Sequence, residues 1–171
     1  MCTVGLGERL IDPDEPVRRW TPQAGLRLEF DLERATLAGV SLGDLSDRLS
    51  KFGAPENGHP SRDEAYEYRA RGFEIGVRGG RVDFILALWD AGDERRHFSG
   101  EVLVAGRAHR LSARSGEEEI LALLGEPHRT RDELGKRTVF YRRGGVEWQA
   151  DFARGQLTAL AVRHPPFLSD D

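Results

Sequence analysis

The chain has 171 residues, of which 25 are Lys or Arg and 29 are Asp or Glu, giving a formal net charge of −4; this length can bury the core of one ordinary domain or of two small ones. The two signs of charge are interspersed along the chain, which argues against a nucleic-acid-binding face. No apolar run approaches the roughly 20 residues of a membrane span, and the single cysteine, Cys2, allows no internal disulfide, so we expect a cytoplasmic protein.

We interpret residues 1–25 as an N-terminal extension, because they show no sustained periodicity. They contain Pro13, Pro16 and Pro22 among charged residues. Trp20 is the large apolar side chain of this segment, and we expect it to anchor the extension onto the domain rather than to bind a ligand.

A hairpin and a helix are predicted next. Apolar and polar residues alternate strictly over residues 26–32, which is typical of a half-buried strand, and residues 36–40 can return antiparallel to it. A capping pattern and apolar residues at helical spacing then predict a helix over residues 41–52. We expect it to end at Gly53, because glycine favours the left-handed cap, and Pro55 forbids its continuation.

Three strand patterns follow the first predicted helix, at residues 65–70, 73–77 and 82–89. Gly72 and the pair Gly79-Gly80 separate them at hairpin length. The charged, irregular stretch at residues 90–96 is the natural boundary between the two halves of the chain.

The second half has the same order of elements as the first. Residues 101–104 and 107–111 predict a hairpin, and residues 115–124 predict a helix in which Ser115 and Glu118 have capping-box spacing. We interpret residues 129–135 as a polar loop. The remaining strand patterns lie at residues 139–141, 146–152 and 157–162.

One segment occurs twice: residues 49–55 (LSKFGAP) recur as residues 121–127 (LALLGEP). The sequence therefore predicts an α+β fold of two tandem repeats. Each repeat is a β-hairpin, one helix and three antiparallel strands, with the helix packed on the sheet. The predicted boundaries are an extension at 1–25, the first repeat at 26–96, the second at 97–163 and a C-terminal tail at 164–171.

A family resemblance rests on SGEEEIL at residues 115–121 and LGEP at residues 124–127, followed by Tyr141 and a strand pair near Gly155. This pattern resembles the small α/β repeat of the β-lactamase-inhibitor-protein family and of the SmpA/OmlA outer-membrane-assembly lipoproteins. Two tandem copies are more similar to the bacterial inhibitor proteins, although the chain has no cysteine pair for their disulfides. The resemblance implies the fold and a non-catalytic binding role.

The sequence predicts no catalytic residue, no metal site and no cofactor. The histidines are His59, His97, His109, His128 and His164. None has the spacing that places two ligands on one helical face. Cys2 would act as a nucleophile only after removal of Met1 and beside a base, and the carboxylates of residues 117–119 are explained by a helix N-terminus.

Two arginine pairs occupy matching places beside repeated tyrosines. The predicted partner-binding residues are Arg69, Arg71, Arg142, Arg143, Tyr68 and Tyr141. Arginine and tyrosine are favoured at interface hot spots. The alternative is that outward strand positions are simply polar and that the tyrosines belong to the core.

We therefore expect a protein-binding module, such as an inhibitor, immunity-type or adaptor protein, that presents a sheet face to an unknown protein partner. The alternative is a small-ligand binder or an enzyme that uses a cleft between the repeats. His128, Asp132 and Glu133 form the nearest titratable group for that alternative. A deep pocket that joins them would favour catalysis, whereas a shallow face lined by arginine and aromatic side chains would favour binding. The oligomeric state is not predicted.

Overall fold

The computed structural model describes residues 15–58, 60, 63–89 and 97–165. Within these residues the chain forms two β-sheets and two α-helices, α1 (Glu15–Arg18) and α2 (Glu117–Leu124), with 3-10 helices at Ser46–Phe52 and Arg69–Arg71. The strands are β1 (Glu29–Asp31), β2 (Thr36–Leu37), β3 (Val40–Ser41), β4 (Ala65–Tyr68), β5 (Phe73–Arg78), β6 (Arg81–Leu88), β7 (Glu101–Val104), β8 (Arg107–His109), β9 (Arg129–Glu133), β10 (Lys136–Arg143), β11 (Val146–Ala153) and β12 (Gln156–Arg163).

Both halves of the chain contribute strands to both sheets. The seven-stranded sheet has the order β4-β5-β6-β12-β11-β10-β9, and the five-stranded sheet has the order β3-β2-β1-β7-β8. In the larger sheet β6 and β12 pair antiparallel at the centre. In the smaller sheet β1 and β7 pair in parallel. The two predicted repeats are therefore joined by backbone hydrogen bonds in each sheet.

The hydrophobic core lies between the two sheets. Phe30 of β1 and Trp148 of β11 are fully buried, and their ring centroids are 5.4 Å apart. Phe52 of the first 3-10 helix packs on Phe73 of β5, and Leu124 of α2 belongs to the same cluster. We call the side of the seven-stranded sheet that faces this core its inner face.

The predicted α+β fold of helix-on-sheet repeats is wrong. The described residues form a mostly β structure, and helical residues occur in short elements that fill the edges of a two-sheet core. The repeated hairpins do not stand beside their own helix and strands as separate units. They pair with each other and make a second sheet, which buries the inner face of the first. The repeat and tail boundaries stay a prediction.

The first predicted helix is shorter than its apolar pattern indicates. The amides of Gly43 and Ser46 bond to the carbonyls of Val82 and Gly80, at 2.8 and 2.9 Å. This pairing with β6 holds the first turn of the predicted helix extended. Seven residues remain, and they form a 3-10 helix, the form that short helical pieces often take. Leu45, predicted on the apolar face, is accordingly 53% exposed.

Several predictions are confirmed. The alternation of residues 26–32 gives the buried side of β1, since Phe30 and Leu32 are buried, and β2 returns antiparallel to β1. Trp20 stacks on Tyr66 with ring centroids 5.9 Å apart, which anchors the extension as expected. Residues 1–14 of the extension and the boundary stretch at 90–96 lie outside the described residues.

The predicted capping box of α2 is not formed. The N-cap is Gly116 and has no side-chain cap, while Ser115 Oγ accepts a hydrogen bond from the Ser112 amide at 3.1 Å. Glu117, Glu118 and Glu119 lie in the first turn, where carboxylates stabilise the helix N-terminus. The predicted position of these carboxylates at a helix N-terminus is confirmed.

Residues 129–135, predicted as a loop, instead contain the strand β9. Every residue of β9 is exposed, so it has no apolar alternation from which a strand could be predicted. It pairs with β10 across the turn Leu134-Gly135. Both turn residues have positive φ, 45° and 77°, as a two-residue type I′ turn requires.

Replacement of Leu134 by asparagine is expected to stabilise the protein by about 1 kcal/mol, because asparagine tolerates the left-handed conformation better than leucine. Leu134 is fully exposed, so no packing is lost. Urea unfolding of the two proteins measures the difference. Leu134→Ala is the control, since alanine shortens the side chain without favouring positive φ, and an equal gain in that variant would contradict the backbone explanation.

Candidate functional site

The candidate site is the outer face of the seven-stranded sheet, on the side opposite the core. Apolar residues there lie outside the core cluster. They are Phe84, Leu86, Leu88, Phe140, Ala159 and Ala161. A sheet that needed only one apolar face would carry polar side chains at these positions. The outer face is therefore more apolar than a face that only contacts water.

The centre of the outer face is an apolar patch on β6 and β12, which we define as Phe84, Leu86, Leu88, Ala159 and Ala161. Leu86 lies opposite Ala161, and Leu88 lies opposite Ala159. Phe84 and Leu86 remain partly exposed. The patch thus spans the pair of strands at which the two halves of the chain meet.

Gly76 allows the Phe84 ring to lie flat on the sheet. The two residues are opposite each other on β5 and β6. A Cβ at position 76 would lie 2.0 Å from Phe84 Cε1, which is far inside van der Waals contact. The absence of a side chain at Gly76 therefore sets the position of this aromatic ring.

One end of the outer face is positively charged, and we call Arg129, Arg131, Arg142 and Arg163 the basic end. Arg129 and Arg131 lie over the Phe140 ring, with Cζ 4.0 and 5.9 Å from its centroid. Such cation–π contacts favour guanidinium groups held flat on an aromatic face. They cover Phe140, which is only 2% exposed.

A buried carboxylate lies beneath the basic end. The side chain of Glu147 is 2% exposed, and its Oε1 accepts hydrogen bonds from Arg163 Nη2 at 2.6 Å and Nε at 3.1 Å. Arg129 Nη2 and His128 Nε2 lie 3.8 and 3.9 Å from Oε2. One carboxylate therefore lies within 4 Å of Arg163, Arg129 and His128.

A shallow concavity of about 660 Å³ joins the apolar patch to polar side chains of β11. Its lining includes Phe84, Leu86 and Arg163 together with Gln149 and Asp151. The Asp151 carboxylate accepts hydrogen bonds from Thr138 Oγ1 at 2.7 Å and from Gln149 Nε2 at 3.0 Å. These bonds hold the carboxylate in place.

Two of the predicted contact arginines donate to carbonyls at the ends of helices. Arg71 Nη1 donates to the carbonyl of Phe52 at 3.5 Å, and Arg143 Nη2 donates to the carbonyl of Leu124. Both carbonyls precede the glycines that end their helices, and cations at a helix C-terminus are favourable. Arg71 and Arg143 are therefore engaged within the fold.

The predicted tyrosines belong to the core, as the alternative interpretation held. Tyr68 and Tyr141 are 3% and 2% exposed, so they offer no surface to a partner. Tyr68 OH donates to the Gly53 carbonyl at 3.4 Å. Arg142 and Arg143 are exposed, and Arg69 is half-buried. Arg69 Nε lies 2.6 Å from Glu67, and Arg142 lies opposite Glu147 on β11.

Tyr141→Phe should make stability less sensitive to alkaline pH. Burial, with the carboxylates of Glu117 and Glu126, raises the pKa of Tyr141 from 10.0 to about 12 against the opposing effect of Arg143. A raised folded pKa gives stability that is complete below pH 10 and lost as the pH rises through 12. At pH 11 the wild type should have lost about 1.4 kcal/mol from this group, and the variant should not. Urea unfolding at pH 8 and 11 measures it.

At pH 8 the same variant should be no less stable than the wild type. Within the described residues Tyr141 OH has no hydrogen-bond partner, so its removal relieves an unsatisfied buried group worth about 1 kcal/mol. Tyr68→Phe is the comparison, because its hydroxyl is bonded to Gly53. If Tyr141→Phe lost more stability at pH 8 than Tyr68→Phe, the Tyr141 hydroxyl would have to be hydrogen-bonded in the folded protein.

The titratable group named for the alternative of a ligand binder or enzyme does not converge. His128 lies beside Glu147 on the outer face, whereas Asp132 pairs with Arg137 at 3.9 Å, near Glu117. Glu133 pairs with Arg131 at 3.4 Å. Asp132 and Glu133 both line a depression at the β9–β10 turn, and His128 is not among its lining residues.

The described part of the chain contains no group of three or more His, Cys, Asp or Glu side chains arranged to hold a metal ion. None of its helices has the length and apolar character needed to cross a bilayer.

No protein-family model matches the chain, and no curated protein matches it significantly. Among solved structures it is similar to a DUF4309 family protein, YjgB, from Bacillus subtilis. The TM-score is 0.49 and the identity 14%, over 74% of this chain and 83% of that one. The resemblance to the β-lactamase-inhibitor-protein and SmpA/OmlA repeats stays a prediction, so function has to be inferred from the geometry of the outer face.

Proposed function

We propose that the protein is a non-catalytic binding module whose outer sheet face contacts a protein partner. The partner surface would carry apolar side chains for the apolar patch and carboxylates for the basic end. The observation that carries this proposal is the set of apolar residues on the outer face that lie outside the core cluster. An apolar centre with charged residues around it is the usual anatomy of a protein interface.

The shape of the face favours a protein over a small molecule. Sites for small ligands are enclosed and bury most of the ligand surface. The 660 Å³ concavity is instead a broad depression across β6, β12 and β11, and charged side chains such as Arg78, Asp83 and Arg163 line it. A protein surface can cover such an area without filling a deep pocket.

The arginines that remain at the surface support an acidic partner. Arg142 and Arg129 flank Phe140 at one end of the face. Arginine held against an aromatic ring has already lost much of its conformational freedom, so less entropy is lost when it binds a carboxylate. This preorganisation is a reason to place the energetic centre of binding at the basic end.

The test is affinity capture followed by measurement on the purified pair. Leu86→Glu places a charge in the apolar patch and is expected to abolish capture of a stoichiometric partner. Leu45→Glu is the matched control, because Leu45 is an exposed leucine, at 53%, that lies before the first 3-10 helix. Both variants are checked for folding by circular dichroism.

The affinity of the purified partner should fall at least tenfold in Leu86→Glu and stay unchanged in Leu45→Glu. Hydrogen exchange of the complex should show added protection on β6, β11 and β12. Equal binding by both variants, or protection confined to the five-stranded sheet, would contradict the proposal. Recovery of a small molecule rather than a protein would favour the ligand-binding alternative.

A further inference from the structure

The two end strands of the seven-stranded sheet differ in how their outer edges are treated. At β4 the side chain of Asn57 acts as an added strand: its Nδ2 donates to the Ala65 carbonyl at 2.8 Å, and its Oδ1 accepts from the Glu67 amide at 3.2 Å. The Glu56 amide donates to the Glu67 carbonyl at 2.8 Å. This edge is therefore closed by the chain's own residues.

The opposite edge, at β9, is open in the part of the chain that the structure describes. All five of its residues are exposed, and its strand pairing is with β10 alone. A two-residue turn makes Glu133 and Lys136 a hydrogen-bonded pair, and such pairs recur at every second residue. The amides and carbonyls of Thr130 and Asp132 consequently point away from β10, as a further strand would need.

The side chains of β9 give the two faces of this edge different charges. Arg129 and Arg131 lie on the outer face over Phe140, and they are 55% and 57% exposed. Thr130 and Asp132 lie on the other side. Glu133 shares the outer face with these two arginines and pairs with Arg131 at 3.4 Å. A strand added beside β9 would therefore place two of three alternate side chains opposite an arginine.

We propose that β9 accepts one additional antiparallel strand from the partner, and that this strand carries acidic residues at the alternate positions facing Arg129 and Arg131. This proposal rests on the proposed function and names the part of the partner that binds. Main-chain hydrogen bonds to Thr130 and Asp132 would hold the strand, as in other edge-strand additions. Carboxylate–arginine pairs across the strands would fix its register.

A second copy of this chain is the competing occupant of the same edge. If two β9 strands paired antiparallel around their centres, Arg131 would lie directly opposite Arg131 of the other copy, and Arg129 would lie opposite Glu133. The first pair is destabilising and the second is favourable. The oligomeric state of the protein alone therefore separates self-pairing from the addition of a partner strand.

The first experiment uses the intact protein and a short fluorescent peptide in which glutamate and threonine alternate. Fluorescence anisotropy at low ionic strength should give saturable binding, and the peptide with glutamine in place of glutamate should bind at least tenfold more weakly. Methylating the backbone amides of the threonines should abolish binding, because these amides would bond to β9. Methylating those of the glutamates should leave binding unchanged, because they would face solvent.

The second experiment changes the protein. R129E/R131E is expected to weaken peptide binding at least tenfold. R107E/R110E makes the same charge change on the exposed end of the other sheet and should have no effect. The methylated peptides are tested on the wild-type protein, and their result therefore does not depend on how well a variant folds.

Absence of saturable binding, equal effects of the two methylation patterns, or equal effects of the two double variants would overturn the proposal. So would a dimer of the protein alone that R129E/R131E dissociates. If any of these results were found while Leu86→Glu still abolished partner capture, the proposed function would stand and the strand addition would fall. If Leu86→Glu left partner capture unchanged while the peptide results held, the apolar patch would be rejected as a contact surface and strand addition at β9 would stand.

Discussion

Replacing Gly100 with alanine is expected to destabilise the protein by about 3 kcal/mol, at the upper end of what overpacking costs. A Cβ at this position would lie 2.2 Å from the Leu28 carbonyl oxygen and 2.5 Å from Phe98 Cζ. The Leu28 carbonyl cannot move aside freely, because it accepts the hydrogen bond of the Glu101 amide at 2.9 Å. That bond lies where β1 and β7 begin their parallel pairing. Urea unfolding measures the loss.

Gly106→Ala is the control for the general effect of replacing a glycine. Gly106 has a φ of 70° and no atom within 4 Å of its hypothetical Cβ, so the change adds backbone strain of about 1 kcal/mol without a steric clash. Gly100→Ala should therefore cost clearly more. Equal costs for the two variants would mean that the β1–β7 junction relaxes around a methyl group.

Local patterns in the sequence predicted strands well and their partners poorly. The alternation in residues 26–32 identified the buried side of β1, and the glycine pairs located the hairpin turns. Nothing in either segment indicates that β1 pairs in parallel with β7, some 70 residues later. Pairing between distant strands depends on which faces must be buried together, and single-strand periodicity does not contain that information.

The sequence predicts a longer first helix than the structure contains, for a related reason. The spacing of Leu42, Leu45, Leu49 and Phe52 fits a helix, but hydrogen bonds to β6 take the backbone of Gly43 and Ser46. Tertiary pairing overrides a short helical pattern, because an isolated helix of this length has little stability of its own. Pairing between strands also explains why the sequence predicts a loop at β9. All residues of β9 are exposed, so it has no apolar alternation, and its pairing with β10 makes it a strand.

The candidate site was partly visible in the sequence. Of the arginines predicted as contacts beside Tyr68 and Tyr141, Arg142 and Arg143 are exposed, whereas Arg69 and Arg71 are half-buried. Arg71 and Arg143 reach helix ends, which cannot be inferred without knowing where those ends lie. A better signal was the uninterrupted apolar run from Phe84 to Trp89, because a strand with apolar residues on both sides needs cover on both faces.

Arg163→Met should destabilise the protein by about 3 kcal/mol, and Glu147→Gln by only about 1 kcal/mol. The asymmetry follows from exposure: the Glu147 side chain is 2% exposed and that of Arg163 is 41% exposed. Without its partner, Arg163 turns to water, whereas Glu147 keeps a buried charge that Arg129 and His128 approach only to 3.8 and 3.9 Å. Urea unfolding of each variant at pH 7 gives the two values.

The double variant R163M/E147Q decides whether the buried charge is the cause. Removing both charged groups should cost about 2 kcal/mol, less than Arg163→Met alone, since no carboxylate is left to desolvate. Additive losses would mean that the cost of Arg163→Met does not arise from the charge left on Glu147. In that case Glu147 would not organise the basic end, and the arginines over Phe140 would owe their placement to the ring alone.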